Sequence, residues 1–154
     1  MSALNDIRSG KTKRQLPALA SLEGRNQGEL FTMPGLITCL IEHGICSDNA
    51  LVRARSLKLM RVIYRVRVVY WGEVRNAVVS ELSSPEDAEP LERALELVKE
   101  LPQRELLVFI SSEEVISSIK GLCTLPNDFL KMRLCAVRHV AEILLKTWSL
   151  VSTG

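Results

Sequence analysis

Residues 129–151, FLKMRLCAVRHVAEILLKTWSLV, constrain this chain more than any other stretch. Phe129, Met132, Ala136, Val140, Ile143 and Thr147 recur at helical spacing, and a second line of Leu130, Leu134, Val137, Ala141, Leu144 and Trp148 runs beside it. A helix with so wide an apolar face must be covered on two sides, so other helices have to pack against it. The candidates are present. Leu91, Ala94, Leu95, Val98 and Leu101 make one stripe, and Val115, Ile116, Ile119 and Leu122 make another. Gly and Pro fall mostly between these periodic segments, as they do where short loops join helices. The expected fold is all-α: a compact helical bundle of about seven helices.

Three segments follow from the pattern. Residues 1–26 are polar and rich in Lys, Arg, Ser and Asn, with Leu4, Ile7, Leu16, Leu19 and Leu22 as the apolar anchors; they read as a partly disordered basic arm. KTKR at 11–14 could serve as a weak nuclear-import patch but reads first as a solvated basic tail. Residues 27–84 read as an N-terminal helical layer. Its first helix carries Leu30, Phe31, Leu36, Ile37, Leu40 and Ile41 up to Gly44 at a C-cap, with Pro34 as a kink or the first residue of a second half. Ser47 and Asp48 are the N-cap candidates of the next helix, which carries Leu51 to Tyr64. The stretch VIYRVRVVYW (62–71) alternates like a strand, but no second alternating run could pair with it. It is assigned as the end of one helix and the start of another.

Residues 85–154 read as a separate bundle. Pro85 opens it, with Glu86, Asp87 and Glu89 at the positive end of a helix dipole, and Pro102 stops that helix. LLVFI (106–110) is a short apolar turn, and Ser111 with Glu114 fits a capping box for the following helix. GLITCLIEHG (35–44) and EVISSIKGLC (114–123) form a faint repeat, the kind of signal that stacked helix pairs leave.

The chain has 154 residues, of which 47% are hydrophobic, enough for a real core. Its 20 Lys+Arg balance 18 Asp+Glu, so net charge points neither to nucleic acid nor to a membrane surface. No apolar run approaches the length of a membrane span, and the N-terminus lacks an apolar signal core. With four cysteines set in apolar helical patterns, the expectation is a soluble intracellular chain with reduced thiols. Cys39, His43 and Cys46 have C-x3-H-x2-C spacing, but the paired knuckles of structural zinc are missing, so neither metal nor cofactor is expected. Cys135 and His139 would be neighbours on a helix, without an oxyanion loop nearby. No phosphate-binding glycine loop or nucleophile elbow occurs. An enzyme is not expected. Arg61, Arg65 and Arg67, within a series from Arg53 to Arg75, could form a basic face for nucleic acid.

LELVKELP (95–102), LLVFI (106–110), EVISSIKGL (114–122) and ILLKTWSLV (143–151) succeed one another in an order that resembles the TFIIS N-terminal domain, or LW domain, family of transcription elongation factors. The likeness is to the Iws/Spn branch, related to the LEDGF integrase-binding domain. Leu101-Pro102, Ile116, Ile119, Leu122, Leu144, Leu145 and Trp148 carry it. The family's T-G-I-G is here SSEEVI, and its basic RKH is Cys123-Thr124-Leu125. The resemblance implies a right-handed bundle with HEAT/ARM-like stacked helix pairs, and a nuclear, monomeric adaptor rather than an enzyme. It implies docking of a short disordered motif from a transcription elongation or chromatin protein, an Spt6-like partner among them. The contact positions it implies are Glu86, Asp87, Leu125, Asn127 and Phe129. A helical nucleic-acid module using the Arg face and a structural subunit of a larger helical assembly are the other two readings.

Overall fold

The computed structural model describes residues 2–83, 88–123 and 142–150. It is all-α, and no strand occurs among the described residues. The chain divides into two compact units, Met1–Ala77 and Val78–Gly154. The division falls inside the helix Trp71–Ser83.

In the first unit, the helices are α1 (Ser2–Arg8), α2 (Thr12–Glu23), α3 (Gln27–Thr32), α4 (Leu36–Cys39) and α5 (Ala50–Tyr64), followed by the start of α6 (Trp71–Ser83). A π-helical turn, Leu40–Gly44, continues α4 and ends with Ile45 N–H donating to Leu40 O at 2.9 Å. α5 is the centre. It buries Val52, Ala54, Ser56, Leu57, Leu59, Met60, Ile63 and Tyr64, and α2, α3 and the π-turn all pack on it. Each large apolar side chain withdrawn from water this way stabilises the fold by about 1.5–3 kcal/mol.

The polar composition of 1–26 suggests an arm, but the structure builds α1 and α2 there, packed on one another. Ile7, Ala18, Leu19 and Leu22 are all buried. Their spacing is helical, and burial against α5 offsets Pro17, which sits exposed inside α2. Buried Gln15 completes the joint: its Nε2 donates to Ile7 O at 2.9 Å and to His43 O at 3.4 Å. Both carbonyls lie near the C-terminal end of their helix, where helical partners run out.

Short connections show why the helices are shorter and more numerous than the sequence suggests. Met33 to Leu36 is a type II turn, with Pro34 second, Gly35 third at φ 78°, and Leu36 N–H on Met33 O at 3.2 Å. Pro34 therefore belongs to a turn, neither a kink nor a first helical residue. Asn49, not Ser47 or Asp48, caps α5 through Oδ1 on Val52 N–H at 3.0 Å. Ser47 Oγ accepts from Asn49 N–H instead, and Arg53 Nη1 donates to the carbonyls of Ser47 and Asp48. The stretch 62–71 leaves the helix after Tyr64, runs without regular structure to Tyr70 and re-enters at Trp71. Tyr64 Oη donates to Val69 O at 2.8 Å and its ring meets Trp71 edge-on at 6.4 Å, which holds this connection against the end of α5.

The second unit holds the rest of α6, then α7 (Ala88–Val98), α8 (Gln103–Ile110), α9 (Glu113–Cys123) and helical residues 142–150, here α10. The α7 stripe is buried as its period demands, Leu91, Ala94, Leu95 and Val98 completely and Leu101 nearly so. LLVFI is not a turn. Pro102 starts α8, which seats Phe109 and Ile110 in the core. Ser111 closes that helix, its Oγ donating back to Leu107 O at 2.6 Å, and α9 begins two residues later. Val115, Ile116, Ile119, Leu122 and Leu144 are buried, and Lys120 Nζ stands 4.9 Å from the Trp148 ring centre.

Candidate functional site

The residues expected from the family resemblance to contact a partner, Glu86, Asp87, Leu125, Asn127 and Phe129, lie outside the described residues, as do Cys135 and His139.

The Cys39, His43 and Cys46 spacing assumes α-helical winding, which would stack residues 39 and 43 on one face. The π-turn changes the winding from Leu40 onward. Cys39 ends up buried, its thiol directed at Leu4 O at 3.7 Å, while Cys46 is exposed with its thiol on Glu42 O at 3.1 Å. Burial pushes the Cys39 thiol up, nearby Arg8 opposes this, and Glu42 adds to it. A thiol so placed is a poor nucleophile. Among the described residues, no group of three or more His, Cys, Asp and Glu side chains is placed to hold a metal ion.

The basic face is short. Arg61 is half-buried in the last turn of α5, Arg65 is exposed at its C-cap, and Arg67 is exposed on the irregular connection. Arg67 therefore does not extend a helical stripe. Further back, Arg55 and Lys58 are engaged with Glu23 at 3.5 and 3.8 Å. Glu23 stands at the C-terminal end of α2, where the helix dipole opposes a carboxylate. The two bases from α5 offset that, although 3.5 Å is long for a hydrogen bond and Glu23 Oε1 and Arg55 Nε make none.

What the structure does assemble is a cleft of about 450 Å³ in the first unit. α1 contributes Ala3, Leu4, Asn5 and Arg8, the end of α2 contributes Ser21 and Leu22, the connection after it Arg25, and the type II turn Met33 and Pro34. Leu22, 1% exposed, is its floor, with half-buried Leu4 and Met33 as walls. Asn5, Arg8, Ser21, Arg25 and Pro34 are exposed around it, so the cleft opens to solvent. Arg8 lies across the turn: its Nη2 is 3.2 Å from where a Cβ on Gly35 would stand. Arg25 follows α2 and pairs with Glu29 at 3.6 Å, both side chains half exposed. The lining contains no Asp, Glu, His or Cys. Such a place can receive an apolar side chain and an anion, and its lining offers no base to activate Ser21.

Of these residues the sequence marks Leu4 and Leu22 as anchors. The arginines are not legible as a pair, because Arg8 lies on α1 and Arg25 on the connection after α2, in a segment whose composition suggests an arm. Helical spacing of Leu4 and Ile7 with Leu19 and Leu22 is the signal that could have placed them. No family model, curated protein or solved structure matches the chain.

Proposed function

We propose that this protein is a non-enzymatic interaction domain of the nucleus, docking a short motif from a disordered segment of a transcription elongation or chromatin factor. The observation that carries the reading is the second unit's core. Of the residues behind the resemblance to the TFIIS N-terminal domain family, Leu101, Ile116, Ile119, Leu122 and Leu144 are buried in that unit, while Leu145 and Trp148 are half-buried. Lys120 of α9 lies over Trp148 of α10, so these two helices meet at the tryptophan that the resemblance rests on. A rigid helical core beside polar connections suits capture of linear motifs.

The test is affinity capture from nuclear extract with the wild-type chain and the variant Leu125→Ala/Phe129→Ala, after matching their helicity by circular dichroism. Elongation or chromatin factors recovered with wild type and lost with the folded variant would support the reading. Recovery of nuclease-sensitive, salt-labile material equally with both proteins would replace it with nucleic-acid binding through Arg61, Arg65 and Arg67, since phosphate contacts weaken steeply with salt.

A further inference from the structure

The first unit carries a second place where a partner can seat, independent of the reading above. We infer that the cleft between α1, the end of α2 and the Met33–Leu36 turn binds a short acidic peptide segment, an apolar side chain entering over Leu22 and flanking carboxylates meeting Arg8 and Arg25.

Three observations select this occupant. The floor is apolar, with Leu22 almost fully buried beneath half-buried Leu4 and Met33. Two guanidinium groups stand at the lining, which has no carboxylate of its own; Glu29, outside the lining, meets Arg25 at 3.6 Å in an exposed, screened pair that an incoming carboxylate can share, and the planar guanidinium fork matches a carboxylate's geometry. The turn is built so that Arg8 can lie across it: Gly35 has φ 78°, a conformation that favours glycine, and a Cβ there would stand 3.2 Å from Arg8 Nη2 and in ordinary contact with Leu4. Breadth decides between a peptide and a small molecule. An open cleft rimmed by exposed Asn5, Ser21 and Pro34 would leave much of a small ligand in water, whereas sites for small molecules bury most of their ligand. A peptide covers the rim with its own backbone. Both arginines are exposed, so each charge contact is screened and modest.

The probe is a short fluorescein-labelled peptide, end-blocked, with Leu-Phe flanked by Glu and Asp, titrated with the full chain by fluorescence anisotropy. Saturable binding is expected, weakened about tenfold when the peptide acids become Gln and in Arg8→Glu/Arg25→Glu, the sum of two exposed charge contacts. Ser21→Trp, which fills the cleft from an exposed helix position and keeps both arginines, is expected to weaken it as well. Leu125→Ala/Phe129→Ala is expected to bind this peptide like wild type, which keeps the outcome separate from that of the proposed function. No saturable binding, equal binding of the Gln peptide, or binding unaltered by both cleft variants overturns the inference. So does displacement of the peptide by single-stranded RNA at lower concentration, which would assign the arginines to phosphate.

Discussion

Gln15 is a buried amide among apolar side chains, 2% exposed, and its two acceptors identify its role. Ile7 O and His43 O sit near the ends of α1 and the π-turn, and without the Gln15 amide they lose a donor inside the protein. Replacing Gln15 by Met keeps the volume and removes the donor. The expected cost is about 1–3 kcal/mol, read from urea unfolding at unchanged slope; a cost near zero would mean that Gly10 N–H, 3.3 Å from Ile7 O, and water at His43 O suffice. Tyr64 is the other informative residue. Burial first, then the charge of Glu73, push its phenol well above the ordinary 10.0. The folded protein therefore holds that proton more tightly than the unfolded chain, so its contribution is whole below about pH 10 and is lost as pH rises above that. Tyr64→Phe gives up the hydrogen bond to Val69 O but should also lose this part of the alkaline slope. Urea midpoints of both proteins between pH 9 and 11 check it, and equal slopes would refute it.

The contact of the π-turn with α5 is an affair of two small residues. A Cβ on Gly44 would collide with Ser56 Oγ and come within 2.8 Å of Ser56 Cβ. Gly44→Ala should thus destabilise by about 1–3 kcal/mol through overpacking, despite alanine's better helix propensity. Ser56 Oγ is buried without a hydrogen-bond partner, so Ser56→Ala should be neutral or stabilising by up to about 1 kcal/mol. Adding Ser56→Gly to Gly44→Ala should recover part of the loss, and thermal unfolding of Gly44→Ala, Ser56→Gly and their double variant shows whether the pair couples. At this scale the sequence was legible where period alone decides: Leu91, Ala94, Leu95, Val98 and Leu101 are buried as read. It was misleading where a local pattern fits two frames. Ser111 satisfies a capping-box spacing, yet its hydroxyl is used by the helix before it. LLVFI looks too short for a helix until Pro102 is recognised as a helix start. The π-turn leaves no local signature, and with it went the geometry assumed for Cys39, His43 and Cys46.

For the molecule as a whole, helix class followed from apolar spacing, because all-α packing needs little more than stripes of the right period. The N-terminal helices did not, because α1 and α2 gain their stability from burial on their neighbours and not from their own composition. The cleft was hidden for the same reason, being made of residues distant in sequence. One described feature bears on how this chain would be dissected biochemically. Between α5 and α6, Arg67 is exposed on irregular backbone, next to Val66 at 45% and Tyr70 at 57% exposure, and Tyr70 has a φ of 53°. Accessible, non-helical backbone is what proteases thread into their active sites. Brief trypsin treatment should cut after Arg67, as mass spectrometry of the fragments would show, and an intact Arg67–Val68 bond after such treatment would refute it. That scissile bond lies within Met1–Ala77, ten residues before the division at Ala77 and Val78. A fragment map would then report a boundary that belongs to a loop, and a clone truncated there would discard part of the first unit.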